Sequence, residues 1–552
     1  MCIWTLWRQR CTVGKDWLVN TVIKKILGVS AGFHDAALTV LHNDEVVFAG
    51  HSERYSKKKN DSNICTALER AALEYGPFNE IVYYEKPWKR QLRKLRSGES
   101  WGGNWRLRTE LNSTIPLIMK QHATRSLFLY TTYDDNMTMP LETGTYPTVK
   151  ISSVGHHMSH AAAGFQTSPF ESAAVVVIDA IGEMDTISIY QASYDDTPGY
   201  LGAKKHRQAR YKRVYCKKYP NSIGMYYSAV TQRVGLRPMD EEYITMGMAA
   251  YGDASKAYDT LYDNLIYDKG IATFKRNLHI GMQDLEFDDG VTEMDIAAAG
   301  QELCEVLIMD VMRKARELTG SPNLVYMGGV ALNCVANSLL GEVFDDIWIM
   351  PNPGDAGSSL GAAAAVYGKK LNWTTALLGT DIPGKYPVKN LIKQLKSKKI
   401  VGVASGRAEF GPRAFGNRSL LADPRGAKIK DKVNEIKRRQ LFRPFAPVIL
   451  EEHAHEHFDM PVNQHTSRYM QVVAPVKHPK EFPAITHIDG TARVQTVPAD
   501  GSGIRLLLEA WYKETGCPML LNTSLNIRGE PMVDDRADAD RFEKEYGVTV
   551  CS

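Results

Sequence analysis

The sequence predicts an α/β protein: a duplicated nucleotide-binding unit followed by a smaller α/β unit. Three observations carry this expectation. Lys25–Ser30 reads as a strand, Ala31–Asp35 as a turn and Ala36–Leu41 as a second strand; after the turn at Asn43 and Asp44, Glu45–Ala49 reads as a third. The shape returns in the apolar run Ala174–Asp179, the small-residue turn Ala180–Asp185 and the alternating run Thr186–Tyr190. Such turns present backbone N–H groups to phosphate, although the pattern alone equally allows two unrelated hairpins. Third, a Gly/Pro-bearing linker at Leu377–Pro387 precedes a fresh α/β pattern from Leu391, with Val401–Ala404 as a buried-type strand.

Composition bounds the class. With 552 residues, 44% hydrophobic and 24% charged, the chain has material for more than one packed domain. A net charge of +4 is small for that length and argues against general polyanion binding. The basic runs Trp88–Arg96 and Lys204–Lys218 read as solvated faces or loops. Eight cysteines occur singly with no CxxC, which fits a reducing cytoplasm better than a disulfide framework or a Cys-based zinc site. No apolar run reaches the roughly eighteen residues that span a membrane. Met1–Thr21 lacks the apolar segment and cleavage site of a signal peptide and reads as an extension before the first strand.

Several stretches carry chemistry. Gly155-His156-His157-Met158-Ser159-His160 leads into an alanine run that favours helix. In a helix starting near Ser153, His156 and His160 project from one face a turn apart and could share a divalent cation. The glutamate that zinc proteases place beside the first histidine is missing, and a helix start with surface histidines is the plainer alternative. Residues 85–150 show little periodicity and suggest no role. Ser222–Val234 reads as helix and Glu242–Gly252 as packing. Asp295–Thr319 is a long amphipathic helix stopped by Gly320. After the strand Asn323–Tyr326, the pair Gly328-Gly329 lets backbone approach a nucleotide and offers a helix N-terminus to phosphate. Beyond the strand Ile347–Met350, Asp355 opens an alanine-rich helix reaching Tyr367, as an N-cap or as a metal carboxylate. In the last third, Arg413, Arg418, Lys437, Arg443, Arg493 and Arg528 sit in Gly, Pro, Asn and Ser turns. Guanidiniums on rigid turns suit bidentate recognition of phosphate or carboxylate; surface ion pairing is the plainer alternative, but four such clusters within about 125 residues favour a pocket for an anionic substrate.

Taken together and in order, ten stretches resemble the carbamoyltransferase family of antibiotic and nodulation-factor biosynthesis, typified by the tobramycin, cephamycin and novobiocin enzymes. They are Gly28–Ala37, His156–Phe165, Asp179–Glu183, Met246–Gly252, Gly328–Asn337, Gly354–Ala364, Gly406–Arg425, Arg443–Pro447, Asp489–Val497 and Asn522–Val533. The resemblance implies an N-terminal extension over residues 1–21 and a duplicated actin-like ATPase domain over residues 22–380. That domain would be like the one in the universal tRNA threonylcarbamoyl-transferring proteins. It implies further a YrdC-like α/β domain over residues 388–552, like the one that makes threonylcarbamoyl-adenylate.

The implied activity is ATP-dependent O-carbamoyl transfer. The smaller domain would form carbamoyl-adenylate from carbamoyl phosphate and ATP with Mg(II). The larger would pass the carbamoyl group to a hydroxyl of a small acceptor, such as a sugar, nucleoside or antibiotic. Carried over by position, His156, His160, Asp179 and Asp355 would hold a divalent metal. Mixed imidazole and carboxylate ligands suit Fe(II), Mn(II) or Zn(II), and the family points to iron. His34 and Asp35 would orient the acceptor or act as base. Gly328, Gly329 and Asn333 would contact adenylate. Arg413, Arg418, Lys437, Arg443, Arg493 and Arg528 would grip carbamoyl phosphate and ATP, with Asn522 and Ser524 adding neutral hydrogen bonds.

The chain departs from the family pattern at Ala180, where the family has Gly, and at Ile244, where it has Lys. Phe415 and Leu525 exchange apolar types. Two rival readings follow: transfer to tRNA or another nucleic acid through Lys204–Lys218, and a nucleotide-binding regulator that has lost chemistry. A cytoplasmic protein with no membrane contact is expected, and a homodimer is allowed.

Overall fold

The computed structural model describes residues 23–96, 104–121, 149–197 and 206–552. Met1–Thr21, Lys204 and Lys205 lie outside them. Two five-stranded sheets share one topology. The first contains β1 (Lys25–Ser30), β2 (Ala37–His42), β3 (Glu45–His51), β4 (Glu80–Tyr83) and β5 (Lys150–Ser153), ordered β3-β2-β1-β4-β5. The second contains β6 (Ser172–Gly182), β7 (Asp185–Thr197), β8 (His206–Lys218), β9 (Asn323–Met327) and β10 (Asp346–Trp348), ordered β8-β7-β6-β9-β10. In each, the first three strands form an antiparallel meander and the fourth and fifth join in parallel. This doubled order is the duplicated actin-like ATPase architecture. The central strands β1 and β6 are nearly continuous buried apolar runs, as strands covered on both faces must be.

Small residues set the packing between the halves. Helix Ser358–Tyr367 lies against β1 and against helix His156–Thr167. A Cβ on Gly28 would fall 1.9 Å from the Ser359 carbonyl oxygen, and one on Gly361 would fall 1.7 Å from that of Ser159. Only glycine permits either approach. The Thr39 and Ser359 hydroxyls, 2.7 Å apart, join strand to helix in the same layer. Helix Glu293–Thr319 covers the second sheet; a Thr292–Asp295 capping box starts it and a left-handed Gly320 ends it.

The C-terminal part builds a six-stranded mixed sheet in the order 495–497, 446–450, 519–524, 418–422, 400–404, 550–551, with its own apolar core. The stretch read as a linker is different in kind. Leu377–Ile382 is a strand paired with Gly406–Glu409, and it stitches two cores together: Leu378 packs in the first and Ile382 in the C-terminal one.

Three further expectations need correction. β6 runs on to Gly182, leaving only Glu183 and Met184 between the strands, with Glu183 left-handed at φ 57°. The basic stretch read as a loop is the edge strand β8 from His206 on, since pairing to β7 overrides its weak apolar alternation. The described part of residues 85–150 contains helix, including Pro87–Arg96 and Leu107–Thr114. No helix among the described residues is long and apolar enough to cross a membrane.

Candidate active site

Helix His156–Thr167 starts at Gly155, and its first turn stacks His156 under His160 with Nε2 atoms 3.1 Å apart. β6 delivers Asp179, whose Oδ2 lies 3.0 Å from His156 Nε2 and 3.7 Å from His160 Nε2. The close helix contact at Gly361 brings up Asp355, with Oδ1 at 3.3 and 3.4 Å from the same two nitrogens. Asp355 is therefore no N-cap; its side chain caps nothing and points into the cluster. The Gly329 N–H donates to Asp179 Oδ1 at 3.3 Å and fixes that carboxylate. His157 turns away to Ser188 at 2.8 Å.

All four side chains are buried, and their donor atoms lie within 4.8 Å of one another. A cation with bonds of about 2.1 Å holds neighbouring donors about 3.0 Å apart in octahedral geometry and about 3.4 Å apart in tetrahedral geometry. The observed spacings match those edges, and the donor set suits a divalent metal. Nε2 of both histidines faces the two carboxylates and is the atom placed to ligate, while Nδ1 of each is buried with no hydrogen-bond partner among the described residues. Burial opposes charge on His156 and His160, yet the two carboxylates outweigh it and hold both rings above the ordinary histidine value. Burial likewise opposes ionisation of Asp179 and Asp355, and the histidines still pull both below the ordinary range. Two positive and two negative groups are thus locked together, a charge pattern that a dication with neutral imidazoles would replace.

His34 and Asp35 stand beside this cluster. Their side chains meet at 2.9 Å, and His34 Nε2 lies 3.9 Å from Asp355 Oδ2. Burial lowers the His34 value, but Asp355 and Asp35 outweigh it and raise it to about 9. A dication held by Asp355 and Asp179 would offset that raise, and the ring is placed to exchange a hydrogen bond with a group in the cavity. Asp35 is held in a left-handed turn at φ 51°, an uncommon conformation for a residue with a side chain. His34, Asp35, Asp179, Ala180, Gly329 and Asn333 line a cavity of about 250 Å³.

A second cavity of about 530 Å³ adjoins it. Arg413, Arg439, Arg443 and Arg493 line it, and none forms an ion pair among the described residues. Burial and mutual repulsion lower Arg439 and Arg443, and burial with Arg493 lowers Arg413 to about 9. Cations held so close without a counter-ion define an anion site. The two cavities share Tyr243, Met246 and Arg413 as walls. The segment Glu242–Gly252, read as packing, therefore forms the seam between them.

Other expected ligands lie elsewhere. Arg418 is fully buried, and its guanidinium donates to the carbonyls of Thr380, Ser405, Gly406, Asn417 and Asp534, so it is structural. Lys437 Nζ is spent on Ser524 and Asn526. Asn522 donates to the Ala414 carbonyl and Gln495, and the Ser524 hydroxyl to Asn526. Arg528 pairs with Glu241 at 3.2 Å across the seam. None of these five lines either cavity. Gly328 is needed at φ 95° because a Cβ there would lie 2.1 Å from the Ile178 oxygen; its close approach is to β6 and not to a ligand. Asn333 lines the first cavity while capping Cys334–Asn337 and pairing with Gln301. Ile244 is buried and lines neither cavity, and Arg413 is the guanidinium that reaches both. Sequence reasoning did not single out Arg439 or Tyr243; only the basic cluster around Lys437 hinted at the former.

The family model described as Carbamoyltransferase N-terminus matches residues 25–364, and Carbamoyltransferase C-terminus matches residues 392–551. An uncharacterised protein of Synechocystis sp. is 32% identical, covering 94% of this chain and 93% of that protein. Nodulation protein NolNO of Sinorhizobium fredii is 31% identical, covering 92% of this chain and 76% of that protein. Among solved structures there is a looser likeness to full-length HypF in its phosphate- and nucleotide-bound form. It is 13% identical, covers 62% of this chain and 55% of that chain, and has a TM-score of 0.35. With both models matched in order and two relatives aligned over more than nine-tenths of this chain, the chain belongs to the carbamoyltransferase family, enzymes that transfer carbamoyl groups.

Proposed function

We propose that this protein is an ATP-dependent O-carbamoyltransferase with two reaction cavities. What carries the reading is the join between an unpaired arginine cavity and the His/Asp cavity through three shared wall residues. In the arginine cavity, Arg413, Arg439, Arg443 and Arg493 bind the phosphates of carbamoyl phosphate and ATP. Carbamoyl phosphate gives up its phosphate to water, the carbamate oxygen attacks the α-phosphorus of ATP, and pyrophosphate leaves. The resulting carbamoyl-adenylate enters the first cavity, lined by His34, Asp35 and Asp179, past Tyr243 and Met246, with Arg413 still within reach of its phosphate.

There the acceptor hydroxyl attacks the carbamoyl carbon, the bond to the adenylate oxygen breaks, and AMP leaves with the alcohol's proton passed to solvent. His156, His160, Asp179 and Asp355 would hold a divalent cation, iron by the family resemblance, which as a Lewis acid would polarise the acyl carbonyl. His34, braced by Asp35, donates a hydrogen bond that orients the reacting group. The exposed arginines of β8 face Glu171, Asp195 and Asp185 as ion pairs, which leaves that strand poorly suited to a nucleic-acid acceptor.

The test is to incubate purified protein with ATP, carbamoyl phosphate, Mg(II) and each of Fe(II), Mn(II) and Zn(II). Pyrophosphate and carbamoyl-adenylate are then followed by mass spectrometry. Absence of adenylate under every metal condition refutes the reading; adenylate that discharges only onto RNA refutes the small-acceptor part of it.

A further inference from the structure

Phe33 stands beside His34 on the first turn and is 42% exposed. A lone exposed phenylalanine is ordinary on a protein surface, but three features set this one apart. Its turn is rigid: Gly32 is at φ 95°, where a Cβ would fall 2.9 Å from Arg90 Nη1, and Asp35 is left-handed. The ring is braced from inside the protein by the Arg93 guanidinium, 5.7 Å from its centroid. Arg93 is itself buried and anchored on the Ile181 carbonyl of β6, so the brace ties the turn of one half to the strand of the other. Finally, Phe33 adjoins a residue of the site: its ring centroid is 4.9 Å from that of His34, tilted by 50°, and His34 Nε2 lies 3.9 Å from Asp355 Oδ2.

We infer that Phe33 is an acceptor platform: its outward face stacks against the apolar face of a ring that bears the hydroxyl to be carbamoylated. The inference deepens the proposed O-carbamoyl transfer and rests on it. An open-chain polyol has no such face, whereas a pyranose and an aromatic alcohol both do. A ring lying on Phe33 is held beside His34, which lines the cavity that Asp179 of the His/Asp cluster also lines. The stacking holds the acceptor equally in the bound complex and in the transition state, so its loss appears in acceptor binding and KM more than in the turnover of a saturated enzyme.

The experiment measures binding of methyl β-D-glucopyranoside, benzyl alcohol and glycerol to the full chain by saturation-transfer difference NMR. The same alcohols are then compared as acceptors. Expected is at least one ring alcohol bound in preference to glycerol, with kcat/KM about tenfold higher. Phe33→Ala and Phe33→Leu should erase that preference through KM, while Phe33→Trp keeps it and adenylate formation is unchanged in all three. Whichever ring loses more on Phe33→Ala names the acceptor class. The platform is refuted by absence of a ring preference in the native protein, by its survival in Phe33→Ala, or by an equal loss for rings and glycerol. If no adenylate forms while ring binding still depends on Phe33, the reaction reading fails and the platform stands.

Discussion

Gly361→Ala should dismantle the histidine–aspartate cluster without altering any of its four residues. The new methyl would sit 1.7 Å from the Ser159 carbonyl oxygen and 2.5 Å from its carbon, both backbone atoms of the helix that carries His156 and His160. A carbon and a carbonyl oxygen approach no closer than about 3.3 Å, so the helices must part by about 1.6 Å. Asp355 immediately precedes the displaced helix, and its Oδ1 now lies 3.3 and 3.4 Å from the two Nε2 atoms. A move of that size opens those gaps to about 5 Å, whereas two bonds of about 2.1 Å span at most about 4.2 Å. One cation could then no longer touch both sides. Overpacking of this kind costs roughly 1–3 kcal/mol, which a chain with several apolar cores can survive. The assay is metal content per chain after reconstitution, alongside melting temperature, adenylate formation and carbamoyl transfer. Expected are a lowered melting temperature, substoichiometric metal, a transfer rate down at least a hundredfold and adenylate formation retained. A folded Gly361→Ala protein with full metal occupancy and native transfer would refute the link from packing to site.

Other outcomes follow from the same geometry. His160→Ala should block transfer from supplied carbamoyl-adenylate while adenylate formation continues; equal loss of both would contradict the division between cavities. Arg443→Ala, which removes a guanidinium from the anion cavity, should cut adenylate formation at least tenfold in a pyrophosphate-release assay. Arg528→Ala should cut it far less, because that side chain is half-exposed and spent on Glu241. His51 is buried, accepts a hydrogen bond from Asn352 Nδ2 at 2.7 Å, and is pushed down to about 4 by burial and then by Arg54. Its folded value lies below its unfolded one, so its contribution is present above about pH 6.5 and is lost as pH falls toward about 4, a change of roughly 3 kcal/mol. Acid unfolding curves for His51→Gln should be correspondingly flatter across that window, and an unchanged slope would contradict the assignment.

Much of the fold was legible because its signals are local. Apolar runs marked β1, β2 and β6, a glycine ended the long helix, and the four-residue spacing of His156 and His160 put them on one face. Local signals failed where a partner far along the chain decided the state. Leu377–Ile382 carries glycine and reads as a linker, yet it is a strand because Gly406–Glu409 lies beside it. β8 is rich in charge but is carried into the sheet by β7.

The site divides in the same way. The sequence by itself determined the family, the candidate ligands and the turn chemistry around them, since those depend on residue type and spacing along the chain. Only the tertiary structure decided which cations are free to bind an anion. Arg418 and Arg443 look alike in sequence, each beside Gly, Pro, Asn or Ser. One is buried under five carbonyls, and the other faces a cavity and forms no ion pair among the described residues. A guanidinium's five donors are either spent on backbone oxygens or left for a ligand, and those oxygens come from residues up to 116 positions away.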